Sequence, residues 1–173
     1  ADTKGRVWLI TEGLTRYDCT TLEKKTYGFD RLWPSSLAID SYGTIWVVMS
    51  NGSLYAYDAR TDSFESRDCG LAIRNITAAE NGKLLIATSQ NEVMYLDCIT
   101  MNTESIFKAE KGTNINCIIE RESGECWIGT SLGLFIRRSG STYQGEAFHD
   151  AATPASISAD YITSLGKDKS GNI

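Results

Sequence analysis

Apolar positions along this chain fall in short runs of β-branched and aromatic residues. Each run is closed by a polar stretch rich in Gly, Asn, Asp and Ser. Runs such as Leu54-Tyr-Ala-Tyr57, Leu84-Leu85-Ile-Ala-Thr88 and Trp127-Ile-Gly-Thr130 read as strands between turn signals, and no segment sustains a helical period. The pattern also repeats. Glycines at 5, 43, 82, 124 and 171 stand 38 to 47 residues apart, preceded by Asp, Asn or Ser in phrases such as Asp40-Ser-Tyr-Gly43 and Glu80-Asn-Gly82. Three residues after the first four of these glycines come Trp8, Trp46, Leu85 and Trp127. Nine and six residues before the later ones stand Pro34 and Leu37, Ile73 and Ile76, Ile115 and Ile118, and Ile162 and Leu165.

A period of about 40 residues, with a tight glycine turn and several short strands, predicts an all-β fold of the β-propeller type. Such a sheet cannot bury both faces by itself, so neighbouring blades stack, and the Trp positions are expected to form the core between blades. The whole chain, residues 1–173, reads as one propeller segment with blades at about 1–30, 31–68, 69–109 and 110–154. Residues 155–173 supply the strand that the first blade lacks. That strand either closes the ring or leaves an open arc. Because the chain stops at Ile173, just before the next expected Trp, it reads as part of a larger propeller. An open arc would expose apolar blade faces and favour self-association or packing on the remaining blades.

Composition narrows the partners. The formal net charge is −5, with 17 Lys and Arg against 22 Asp and Glu. No clustered basic surface for nucleic acid or anionic lipid is expected, and no apolar run approaches the roughly 20 residues of a membrane span. Five cysteines, Cys19, Cys69, Cys98, Cys117 and Cys126, show no CxxC spacing and read as small buried hydrophobes. Cys117 and Cys126 flank a predicted hairpin turn, which places them near each other. His149 is the single histidine and reads as a turn residue beside Asp150. No catalytic motif, metal-ligand set or cofactor loop is found, so no catalytic residue, metal or cofactor is assigned. Asp40, Glu80, Glu122 and Asp168 recur beside the turn glycines, where carboxylates support turns through local hydrogen bonds.

If a ligand binds, it is expected at the loops leading into the innermost strands, which ring the funnel of a propeller. These carry Arg31, Trp33, Arg74, Asn75, Asn114, Asp160 and Tyr161. Trp and Tyr offer flat apolar faces to a sugar ring, while Arg, Asn and Asp supply directional hydrogen bonds. Trp33 alone among the Trp residues lies outside the repeat register. It serves either as such a platform or as packing against Pro34 and the next blade.

Two phrases, Cys126-Trp-Ile-Gly-Thr-Ser-Leu-Gly-Leu-Phe135 and Ile162-Thr-Ser-Leu-Gly-Lys-Asp-Lys-Ser-Gly-Asn-Ile173, resemble two-component regulator propeller repeats. The stretch between them, Phe148 to Ile162, resembles that family's connector into the next blade. The third repeat departs most, with Leu85 for the aromatic and Asn91-Glu92 for the glycine turn. The resemblance implies the extracytoplasmic, periplasmic input region of a hybrid two-component sensor histidine kinase. It further implies a ligand among oligosaccharides, control of glycan-utilisation genes, and membrane attachment only through parts outside these residues. Two other readings stay open: a propeller glycoside hydrolase or polysaccharide lyase, and a protein-binding scaffold.

Overall fold

The computed structural model describes residues 1–121, 123–138, 140 and 144–173. It contains four antiparallel sheets and no helix among the described residues. The first holds β1 (Arg6–Ile10), β2 (Leu14–Asp18) and β3 (Lys24–Tyr27). The second holds β4 (Pro34–Ile39), β5 (Ile45–Met49), β6 (Leu54–Asp58) and β7 (Ser63–Arg67). The third runs β8 (Ile73–Ala78), β9 (Lys83–Thr88), β10 (Glu92–Asp97) and β11 (Thr103–Lys108). The fourth runs β12 (Ile115–Glu120), β13 (Glu125–Thr130), β14 (Gly133–Arg138) and β15 (Gln144–Ala147). Each is a simple meander in chain order.

Burial within a sheet follows strand position. All five residues of β5 are buried, whereas β7 is almost wholly exposed. Continuous apolar runs mark strands covered on both faces, and side chains alternate between those faces. Ile45, Val47 and Met49 therefore pack with Trp8, Leu14 and Tyr27 of the first sheet. Their neighbours Trp46 and Val48 pack with Ile73, Leu84 and Ile86 of the third. Strand β9 repeats the arrangement, sending Leu85 and Ala87 toward Ile118, Cys126 and Ile128 of the fourth. Trp8, Trp46 and Leu85 thus build the inter-sheet cores that the repeat predicts. Trp127 does not. It lies on the face of the fourth sheet turned away from the third, is only half-buried, and joins none of these clusters. Among the described residues its indole N–H has no hydrogen-bond partner.

The Asp-x-x-Gly turns are held by their carboxylates. Asp40 Oδ1 accepts from the amides of Tyr42 and Thr44, each at 2.9 Å, while Oδ2 accepts from Trp46 Nε1 at 2.8 Å. Asp2 serves Lys4, Arg6 and Trp8 in the same way, and Asp168 serves Ser170 and Asn172. Burial opposes the charge on Asp2, but hydrogen bonds from Trp8 and the backbone outweigh it and hold its pKa at about 2. Glu80 departs from the expected role. Its turn is a two-residue hairpin with positive φ at both Asn81 (57°) and Gly82 (72°), a geometry that needs no carboxylate cap. The Glu80 amide donates instead to Glu120 at 2.8 Å. Glu122 lies outside the described residues.

All five cysteines are free. Cys117 and Cys126 do not face each other: Cys117 pairs with Gly129, and Cys126 pairs with Glu120 further along the ladder. Cys126 lies in the core beside Tyr95, and burial raises its thiol pKa to about 12.

Residues 155–173 form no strand. They lie against the fourth sheet, through Ile162 N to Thr130 O (2.9 Å), Asn116 Nδ2 to Ile162 O (2.8 Å) and Lys167 Nζ to Glu120 O (3.1 Å). Among the described residues the first sheet accordingly has three strands, and β1 pairs only with β2.

Candidate ligand rim

The innermost strands β4, β8 and β12 lie side by side, tied by polar side chains at matching heights. Ser36 Oγ donates to Asn75 Oδ1 at 3.0 Å, and Asn75 Nδ2 reaches Asn116 O at 3.4 Å. Each strand carries a register shift near its start, at Pro34/Ser36, Ile73/Asn75 and Ile115/Cys117. These β-bulges re-aim side chains at one end of the fold. Because the three strands run in parallel, their entry segments gather at that end and form a rim.

Each entry segment is pinned to the turn between the second and third strands of its sheet. Ser50 N donates to Trp33 O at 2.7 Å, Ser89 N to Ala72 O at 2.8 Å, and Ser131 N to Asn114 O at 2.9 Å. Gly133 N donates to Asp160 O at 2.7 Å. The rim is therefore fixed by backbone bonds, which leaves its side chains free for other contacts. Trp33 is 60% exposed and Tyr161 62% exposed, and Arg31, Arg74 and Asn114 are also exposed. Arg74 and Asn75 lie within β8 rather than in its loop, because the bulge lets the strand begin before them. The Asn75 side chain is committed to the links between inner strands. Asp160 is also partly engaged, accepting from the His149 amide at 2.5 Å.

Arg31 follows Asp30 in a tight turn closed by Leu32 N to Phe29 O at 2.6 Å. Both central residues have positive φ, 24° at Asp30 and 66° at Arg31, and neither is glycine. Non-glycine residues in this region are strained and cluster where a fold presents functional groups.

Several residues of the rim and its supports escaped the sequence reading. Ser36 and Asn116 belong to the inner-strand network, and Leu132 (54% exposed) and Phe148 (45% exposed) are exposed near the fourth entry. Phe148 packs over Gly133, where an added Cβ would come within 2.6 Å of the ring. Away from the rim, Asp62 joins the first two sheets by accepting from Arg16 (2.7 Å), Lys25 (2.6 Å), Tyr27 (2.8 Å) and Tyr57 (2.5 Å). The Lys25 ammonium and the Tyr57 hydroxyl, with the other donors, hold this carboxylate far below its ordinary range. Its partners are 5 to 46 positions away in sequence, so no local motif announces it. His149 is exposed, with Nδ1 2.9 Å from Ile157 O, beside a turn closed by Asp150.

Comparison with solved structures gives this geometry a context. The propeller domain of Cps50 (Swd1) from Myceliophteria thermophila superposes with a TM-score of 0.72 at 12% identity, over 98% of this chain and 58% of that one. The fold is a β-propeller. Its sheets are the blades, and the rim is the end where their inner strands begin. The extracellular domain of the hybrid two-component system BT4673 from B. thetaiotaomicron matches with a TM-score of 0.79 at 18% identity, over 97% of this chain. The extracellular domain of the hybrid two-component system BT3049 from the same organism matches at 0.65 and 19% identity, over 85% of this chain. This chain spans about a quarter of the length of those two domains, 24% and 23%. No family model matches the sequence, and no curated protein does.

Proposed function

We propose that this chain is the ligand-sensing propeller segment of an extracytoplasmic sensor of the hybrid two-component type, placed in the periplasm and detecting oligosaccharides that control glycan-utilisation genes. The observation that carries the reading is the rim, where two exposed aromatic rings, Trp33 and Tyr161, accompany Arg31, Arg74 and Asn114 on a backbone-pinned frame. Sugar recognition pairs a flat apolar face with directional donors and acceptors. The fold shared with extracellular domains of hybrid two-component systems supports the same reading.

The test is calorimetric titration of the chain with a panel of neutral and acidic oligosaccharides. Saturable binding of one class, weakened about tenfold in Trp33→Ala and in Arg74→Ala, is the expected result. Binding that both substitutions leave unchanged would remove the rim from the reading. Release of shortened products from the panel would replace it with a hydrolase or lyase.

A further inference from the structure

The cleft between the first two blades has a chemistry that the rim does not use. A cavity of about 420 Å³ opens there, bordered by β3, the link into β4, and the β6–β7 hairpin. That size falls within the range of small-molecule sites, roughly 300–1,000 Å³. Its walls are aromatic. Phe29 meets Tyr55 and Phe64 edge-on with ring centres 5.4 Å apart, and Tyr27 meets Phe64 at 5.2 Å. Its mouth is polar. Lys25 and Asp62 are paired at 2.6 Å, and their side chains remain 44% and 40% exposed. Ser63 and Asp30 complete the edge. The tyrosine hydroxyls and Arg16 hold Asp62 in place, so this edge is set before any ligand arrives. Gly28 lines the cavity, and a Cβ added there would touch nothing within 4 Å, so a larger side chain can be placed at this wall.

The other junctions are built differently. Between the third and fourth blades the cavity also has aromatic walls, but the Arg137 guanidinium lies 5.1 Å and 5.4 Å from the Phe107 and Phe135 ring centres, fixed by Glu146 at 3.0 Å. Those two phenyl faces are taken, whereas in the first cleft the cations sit over Tyr27, with Lys25 Nζ 4.9 Å from its ring centre, and among the described residues none lies over Phe29 or Phe64. Between the second and third blades one cavity is lined by residues 51–54 and 66–72 with no aromatic residue, and another, of about 480 Å³, is bordered by Tyr57 and by Trp46, which is 2% exposed and offers no open ring face. In the first cleft the strained Phe29–Leu32 turn borders the cavity through Phe29, Asp30 and Leu32, carries Arg31 and leads on to Trp33 of the rim.

We infer that the cleft between the first and second blades is a separate subsite for a single pyranose ring. The C–H face of the sugar packs against Phe29 and Phe64, and its hydroxyls meet Lys25, Asp62, Ser63 and Asp30. Asp62 Oδ2 accepts only from Lys25 of its four donors, and the capacity left on this pair, with the Ser63 hydroxyl and the Asp30 carboxylate of the same lining, suits a polyol, whose groups both donate and accept, better than an ion of one sign. The sugar class rests on the carbohydrate reading proposed above, whereas the location does not depend on the rim.

The experiment follows backbone amide shifts of the 173-residue chain by NMR during titration with methyl glucoside, galactoside and mannoside, and separately with benzoate. Saturable shifts at Gly28, Asp30 and Ser63 are expected with at least one pyranoside. They should weaken about tenfold in Gly28→Trp and in Ser63→Phe, which fill the cavity from two sides, and stay unchanged in Trp33→Ala. No saturable shift with any pyranoside overturns the proposal, as does a shift that survives both filling substitutions. Saturation by benzoate alone overturns the sugar class. Failure of the rim would appear elsewhere, as oligosaccharide titrations that leave Asn114 and Tyr161 unmoved.

Discussion

Asp40 is the place to test what makes a blade turn into a core. In Asp40→Ala the amides of Tyr42 and Thr44 lose their acceptor at the surface of the turn, where water replaces part of each bond. That term is worth about 0.5–1.5 kcal/mol per bond at most. Trp46 Nε1 is in a different position, because the residue is 2% exposed and no water reaches it. Leaving a buried donor unpaired costs about 1–3 kcal/mol. Together the substitution should cost about 3 kcal/mol, measured as a shift in the urea unfolding midpoint at constant slope. The Trp46→Phe partner variant separates the terms. In a double-mutant cycle Asp40 and Trp46 should couple by about 1–2 kcal/mol. The third blade already carries Ala79 and Leu85 at the equivalent positions, so donor and acceptor are missing together and neither is stranded. Asp168→Ala is the control, since that exposed carboxylate holds its own turn without a Trp and should cost distinctly less than Asp40→Ala. A coupling energy near zero, or equal losses in Asp40→Ala and Asp168→Ala, would show that the carboxylate shapes the turn and contributes nothing to the core.

Three further outcomes follow from the geometry. The pKa of Asp2 is lowered from 3.8 to about 2, so the stability it contributes is complete above about pH 4 and is lost as pH falls through 2. Asp2→Asn should lower stability at pH 7 and flatten the acid limb of a stability–pH curve. In Gly129→Ala the new Cβ would lie 2.5 Å from Cys117 Sγ and 2.6 Å from Ile162 Cγ2. The segment around Ile162 should therefore lift off the fourth blade, read as lost hydrogen-exchange protection at the Ile162 amide. Arg31→Gly relieves a positive φ of 66° and should stabilise the chain by about 1 kcal/mol in urea while weakening any ligand held at the rim.

The repeat was readable because its parts are local. Asp40, Gly43 and Trp46 lie within one turn and the strand after it, and Asn81-Gly82 announces its own hairpin. Asn91 shows how a departure from the pattern is absorbed: its φ of 56° keeps the left-handed geometry that Gly52 adopts in the second blade. What the sequence hid depends on partners far along the chain or on which neighbour is present. Trp127 carries the same signal as Trp46, yet only Trp46 has a blade on the side its ring faces. Asn75 looked like a free polar group until β4 and β12 were placed beside it. The Asp62 carboxylate and the Phe29–Tyr55–Phe64 cavity arise from two blades meeting, and neither blade encodes them alone. Among the rim residues, Trp33 was legible as a Trp out of register and Tyr161 as an aromatic in an entry loop. Their exposure followed only from the backbone bonds that hold the entry segments open.

The alternation along β5 and β9 gives each central strand two independent audiences. Ile45, Val47 and Met49 address one neighbour, and Trp46 and Val48 the other. A substitution at an odd position of β5 can therefore retune the junction with the first blade while the junction with the third is untouched, and an even position does the reverse. Inserting a single residue would exchange the two sets and damage both junctions at once. Such a chain can change its blade contacts one at a time by substitution, but it accepts length changes only in the turns.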